Sequence, residues 1–326
     1  MKGTTILCIL LFLTMLCIPF LALGAKMPPT LPDGPTVADS GPAAQAEGTS
    51  FRIRDQSANQ ILNVSDHDFL YGAIVTEMSP AAEPEALKAQ AVAAYTYYSR
   101  QRAQARAKGS DSDFSADPQN WKVYVTKDQM QQRWGDSFQA YYDKLTGVVD
   151  AVAGQTLQSG GELIEATYYA ISSGKTESSE DVWGGKLDYL VPVASPGDML
   201  AGGYQTTVSM STEEFKAAVQ KAAPQADCSG DPAAWAGAVG RTGSGSVKSI
   251  RIGGQALTGD EARAAFGLRS ANFDLAYAGG IFTFTVRGYG HGVGMSQTGA
   301  QFMARQGADY RQILSWYYPD TTLASV

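Results

Sequence analysis

The sequence predicts an α+β fold, with mixed strands and helices around a long central Ala-rich helix. An N-terminal transmembrane helix and a Pro/Gly-rich linker precede it. Three observations carry this reading. Apolar residues make up 44% of the 326-residue chain and charged residues only 17%, enough core material to exclude disorder over most of it. Pro84 to Lys108 reads as one long helix. Around it, short strand-like runs broken by glycine turns follow no regular alternation, and no solenoid-type repeat is present.

Taken in order, Ile6–Ala25 is a stretch of twenty residues without a charge. A helix of that length spans about 30 Å, the thickness of a bilayer's hydrocarbon core. Lys2 in front of it favours a cytoplasmic N-terminus. Ala22, Gly24 and Ala25 at its end support a rival reading, a secretory signal removed by cleavage. Under either, the chain beyond Lys26 works outside the cytoplasm. We therefore divide the chain into an anchor or signal segment (1–25), a tether (26–50) and a globular domain (51–326), with 200–285 as a candidate second lobe. The tether, rich in Pro, Gly, Ala and Ser, reaches about 80 Å when stretched.

Phe51–Val64 alternates like two strands around a turn. Phe69–Met78 is a mostly apolar run. In the long helix, Pro84 suits the first helical position and Gly109 stops the C-terminal end, where Arg100, Arg102, Arg106 and Lys108 complement the dipole. Its alanines allow close approach of neighbouring backbone. Gly147–Tyr169 reads as strands around the Gly160-Gly161 turn, and Tyr204–Met210 as another strand. A helix over Ser211–Ala222 is capped by Ser211 or Thr212. Ala223–Ser244 reads as loop, followed by strand (VKSIRIGG), short helix (ALTGDEARAAF) and strand (IFTFTVRG).

The formal charge of −7, from 32 acidic and 25 basic residues, lacks the electrostatic footprint of a nucleic-acid binder. Three cysteines and two histidines offer too few soft ligands for a zinc cage, because Cys8 and Cys17 lie in the apolar N-terminal stretch. No metal and no cofactor is expected.

Three stretches could carry chemistry. Glu77 follows Ala73, Ile74 and Val75 and stands beside Met78. Partial desolvation there would raise its pKa toward that of a general acid; the plain alternative is a surface glutamate at a strand end. Ala166–Ser195 combines Ser172, Ser173, Lys175, Thr176, Ser178 and Ser179 with Trp183 and Tyr189. Such hydroxyls and aromatic faces suit a carbohydrate groove, and equally a polar loop with two core aromatics. In RGYGHGVGMSQ, glycine fills every second position from Gly288 to Gly294, which implies positive φ or close backbone approach. His291 there would bind substrate, orient Glu77, or serve the structure alone. The adjoining TGAQFMARQ reads as a helix start. GMSQTG does not fit a nucleophile elbow, and RGYGHGVG lacks the GK[ST] of a phosphate loop. A paired-carboxylate glycosidase needs a second placed acid, and Glu165, Glu177, Glu180 and Asp181 are not separated by spacing.

EMSPAAEPEALKAQAVAAYTYYSR, SSGKTESSEDVWGGKLDYL and GYGHGVGMSQTGAQFMARQGADYRQILSWYYPDTTL together resemble the stage II sporulation protein D (SpoIID/LytB) family. The resemblance runs from about Phe51 to Leu323. It implies a membrane-anchored lytic transglycosylase of the engulfing mother cell in spore formers. Such enzymes cut peptidoglycan glycan strands lacking stem peptides, between N-acetylmuramic acid and N-acetylglucosamine, and leave 1,6-anhydro ends. The family's catalytic acid falls on Glu77. The resemblance further implies partnership with stage II sporulation proteins P and M. As the runner-up function it implies a non-catalytic wall-binding enhancer of an N-acetylmuramoyl-L-alanine amidase.

Expected substrate contacts are Gln90, Tyr95, Ser172, Ser173, Lys175, Thr176, Trp183, Tyr189, His291, Ser296 and Gln297. The chain departs from the family pattern where Tyr95 stands in an arginine position. Tyr169 replaces a histidine and Ser173 a glycine, and the ligands of the zinc site some members carry are missing.

Overall fold

The structure, a computed structural model, describes residues 49–325. The expected anchor and nearly all of the tether lie outside the described residues, among which no helix is long and apolar enough to cross a membrane.

Strands β1 (Ser50–Asp55) and β2 (Gln60–Ser65) form the antiparallel pair that the alternation predicts, with Phe51 and Ile53 buried. The apolar run after them is helix α1 (Asp66–Glu77), not the approach to a strand end. Ser65 caps it by accepting from the Asp68 N–H, and Phe69 to Val75 are all buried. A side chain from every position of nearly two turns is thus covered, so no amphipathic period marks the helix in the sequence. Helix α2 (Pro84–Ala107) is the predicted central element, with Ala86, Leu87, Ala89 and Gln90 to Ala94 sealed from solvent.

Strand β3 (Phe114–Ala116) adds parallel to β1, followed by α3 (Lys127–Trp134) and α4 (Phe138–Val152). Helix α4 takes in Gly147–Val152, which the sequence pattern assigns to a strand. Leu145, Val148, Val149 and Val152 bury one helical face, a period of three to four that outweighs the strand preference of valine. Strands β4 (Gln155–Ser159) and β5 (Glu162–Leu163) flank the Gly160-Gly161 turn, whose φ angles of 58° and 85° require glycine. Then come β6 (Tyr168–Tyr169) and α5 (Ser179–Trp183).

From residue 205 the chain becomes mainly strand. It runs through β7 (Gln205–Ser211), α6 (Thr212–Ala222), β8 (Ala236–Arg241), β9 (Val247–Ile252), β10 (Gln255–Thr258), α7 (Gly259–Ala265), β11 (Phe273–Ala278) and β12 (Ile281–Arg287). Ser211 caps α6 as predicted. Strand β8 corrects the loop reading of Ala223–Ser244; its side chains are nearly all exposed, so it carries no apolar alternation to read. These elements make two three-stranded sheets, β10-β9-β8 and β11-β12-β7. Their shared core holds Phe215 stacked on Phe282 at 3.8 Å, with Phe266, Trp235 and the buried Cys228. The chain then returns through β13 (Met295–Ser296), α8 (Gln297–Arg305), α9 (Tyr310–Tyr317) and β14 (Thr322–Ser325). Strand β14 joins β4, and α8 and α9 pack on α2. The C-terminal segment thus closes around the central helix.

Candidate active site

Glu77 is the last residue of α1; at Met78 the backbone turns extended. The loop leading to Pro84 is tied to α8, because the Glu83 N–H donates to Gln301 Oε1 at 2.8 Å. The first residue of α8 reaches the carboxylate itself. Gln297 Nε2 donates to Glu77 Oε2 at 3.2 Å and to Gln90 Oε1 at 3.4 Å, while Gln90 Nε2 is a buried donor without a partner among the described residues. Glu77 is an exposed residue. Enough protein nevertheless surrounds its carboxyl for desolvation to push the pKa above the ordinary value, against the pull of the Gln297 hydrogen bond. The negative end of α1 favours the neutral form too. Burial also raises the Tyr98 and Tyr168 phenols, and the charge of Glu77 adds to both.

The alternating glycines do what their spacing implies. Gly288, Gly290, Gly292 and Gly294 all have φ between 81° and 122°. A Cβ on Gly290 would come within 2.6 Å of Tyr169 Cβ, and one on Gly294 within 2.1 Å of the Thr167 carbonyl. The segment therefore lies directly on 167–177, and β13 pairs with β6 in parallel. That contact delivers Gln297 to Glu77.

His291 does not orient Glu77 through a hydrogen bond. Val293 N–H donates to its Nδ1 at 3.2 Å, and its Nε2 lies 3.1 Å from the Tyr168 carbonyl. Nε2 therefore carries the proton and both nitrogens are engaged with backbone. Burial lowers its pKa to about 4, so it is neutral at pH 7. Trp183, 44% exposed, and Tyr169 pack against the ring at 5.4 Å, which leaves the indole as an open aromatic surface.

Sequence reasoning missed Asp198. It is fully buried and accepts from the Ser172 N–H (2.9 Å), Ser296 Oγ (2.6 Å) and Ser195 Oγ, which in turn meets the Tyr317 hydroxyl at 2.6 Å. Burial pushes its carboxyl upward and these bonds oppose that. Ser296 is also the cap of α8, accepting from the Gly299 N–H, so Asp198 fixes the helix end that presents Gln297. Nothing in the spacing of SPGDML marks this role.

Of the expected substrate contacts, Gln90 and Gln297 gather at Glu77, and Trp183 and His291 pack on one another. The others are committed elsewhere. Tyr95 is buried and donates to Asp66 Oδ2 at 2.6 Å, at the opposite end of α1 from Glu77. Ser172 and Ser296 serve the Asp198 network. Thr176 donates to the Val191 carbonyl and accepts from the Val193 N–H, and Ser173 accepts from the Tyr204 hydroxyl through its carbonyl. Tyr189 accepts from the Glu165 N–H. Lys175 is exposed, and its backbone bridges to Ala194. The hydroxyls of 172–179 therefore build the loop more than they line a groove.

The site thus gathers one carboxyl of raised pKa, held by an amide on a capped helix end, whose charge reaches the Tyr98 and Tyr168 phenols: a group able to give and take a proton. Comparison with known sequences supplies the family. The SpoIID family model, described as "Stage II sporulation protein", matches residues 54–158. Stage II sporulation protein D of Bacillus subtilis (strain 168) is 32% identical over 98% of this chain and 94% of its own length. Its namesake in Bacillus amyloliquefaciens is 34% identical over 85% and 79%. The amidase enhancer of Bacillus subtilis (strain 168) is 27% identical over 78% of this chain and 40% of its own. The chain belongs to the stage II sporulation protein D family.

Proposed function

We propose that this protein is a lytic transglycosylase that cleaves peptidoglycan glycan strands, preferably without stem peptides, during engulfment in sporulation. The observation that carries the reading is the state of Glu77. Its pKa is raised, Oε2 is held by Gln297, and Oε1 has no hydrogen-bond partner among the described residues. An acid that is neutral more often than an ordinary glutamate can give its proton to the glycosidic oxygen as the bond to C1 of N-acetylmuramic acid breaks. The resulting carboxylate takes the proton of the C6 hydroxyl, whose oxygen closes onto C1. The products are a free N-acetylglucosamine hydroxyl and a 1,6-anhydro end, with Glu77 protonated again. No water is consumed, so one carboxyl serves both steps, each worth about 10²–10⁴-fold. Trp183 offers a sugar face a stacking surface.

The site is read as working outside the cytoplasm, held to the membrane by the N-terminal segment or released by its cleavage, with sporulation proteins P and M as partners. A second reading, a wall-binding enhancer of an amidase, draws on the likeness to the amidase enhancer. The deciding experiment incubates the protein with glycan strands stripped of stem peptides and examines the products by mass spectrometry. Fragments one water lighter than hydrolysis products, lost in Glu77→Gln, are expected. Intact strands with the wild-type protein, together with stimulation of an added amidase, would establish the second reading.

A further inference from the structure

A cavity of about 310 Å³ lies between α5 and the β9–α7 region, its walls including Glu177, Glu180, Asp181, Lys248, Asp260 and His291. That volume is at the low end for small-ligand sites, about 300–1,000 Å³. Four of these side chains are carboxylates. The single ammonium among them, Lys248 Nζ, is spent on Asp181 Oδ1 at 2.8 Å, and His291 is neutral with both ring nitrogens engaged.

Glu177 sets the site apart from an ordinary acidic patch. It is only 2% exposed, and neither carboxylate oxygen has a hydrogen-bond partner among the described residues. Its backbone is fixed in the glycine ladder, with its N–H on the Gly292 carbonyl at 2.7 Å and its Cγ packed against Gly292. The residue therefore cannot swing its main chain to find solvent. A buried carboxylate without donors is costly, and the cavity walls supply no free cation to offset it. Among the described residues no group of three metal-ligating side chains stands together, so the carboxyls of this cavity do not converge on one point as the ligands of a metal ion would. An ammonium brings one positive charge and three donors on a small head.

We propose that this cavity binds an organic ammonium group, the primary amine of an unacetylated hexosamine or of a diamino-acid side chain. His291 forms a wall of the cavity and also packs on Trp183, so the site adjoins the aromatic surface beside which a strand would lie. The wall-glycan reading enters only through the choice of these two amine sources.

The test is calorimetric titration of the full chain carrying Glu77→Gln, so that no cleavage intervenes and failure of the transglycosylase reading leaves the result untouched. The probes are fully deacetylated chitotetraose, its N-acetylated counterpart, and a lysine-containing tripeptide beside its Nε-acetyl form. At least one free amine should bind tenfold or more tightly than its acetylated partner, and which pair does so identifies the source. Adding Glu177→Gln should erase that preference. The double variant Glu180→Gln/Asp260→Asn, on exposed positions, should weaken it several-fold and decides the matter if Glu177→Gln fails to fold. Equal binding of free and acetylated probes, a preference that survives Glu177→Gln, or one unchanged in the double variant would each overturn the proposal.

Discussion

Helix α1 carries an acid at each end, and the two are treated in opposite ways. At its start, Asp66 is held by Arg102 and Tyr95, each at 2.6 Å, with both side chains of the ion pair largely buried and the guanidinium lying 4.3 Å over the Phe51 ring. At its end, about 16 Å away along the axis, Glu77 has one amide donor and no cation among the described residues. The first carboxylate is saturated with partners. The second has a single donor, and desolvation lifts its pKa against that bond. Helix α1 thus pairs the acid at one terminus fully and leaves the acid at the other open to the role proposed for it.

Changes at either end should separate these roles. Glu77→Gln is expected to lower release of anhydro fragments by about 10³-fold or more. It should leave urea stability unchanged at acidic pH and slightly raised at alkaline pH. The sign comes from the raised folded pKa: the native state binds the proton more tightly than the unfolded chain, so Glu77 subtracts stability as pH rises through its titration. Asp66→Ala should do the reverse. It strands a buried guanidinium and should cost about 3 kcal/mol in urea titrations, with turnover per folded molecule intact. Gln297→Leu should reduce the rate roughly tenfold by loosening the carboxyl. It should also move the alkaline limb of the pH–rate profile upward, because the lost hydrogen bond was lowering Glu77's pKa. A rate loss with an unmoved limb would show that Gln297 acts on the fold alone. Trp183→Ala should be the mildest, raising KM for glycan about threefold at unchanged kcat, read from initial rates over a range of strand concentrations.

Much of this is legible in the sequence. The central helix announces itself through Pro84, its alanines and Gly109, and the glycine alternation from Gly288 states its own backbone requirement. The apolar residues before Glu77 make it a candidate beside the plain reading of a surface glutamate, and its pairing with Gln297 at the end of α1 is not encoded there. The features that escape such reading do so for physical causes. Helix α1 is buried nearly all round, so its period is erased, and the valines of α4 suit either state locally until tertiary packing decides. Asp198 and Ser195 work through contacts spanning roughly a hundred residues, which no local pattern encodes. The place of Tyr95 is hidden for a related reason. Position within a motif says which helix a residue belongs to, and five residues beyond Gln90 the helix has already turned toward a different neighbour.

The hydrogen bond that trims Glu77 joins residues 220 positions apart, and the amide crosses to it only after the glycine segment has settled onto 167–177. A nascent chain threading out from its N-terminus exposes the acid early but receives its partner only 220 residues later. The carboxyl therefore acquires its amide partner only once the glycine-laced return segment lies in place, long after its own helix has been made.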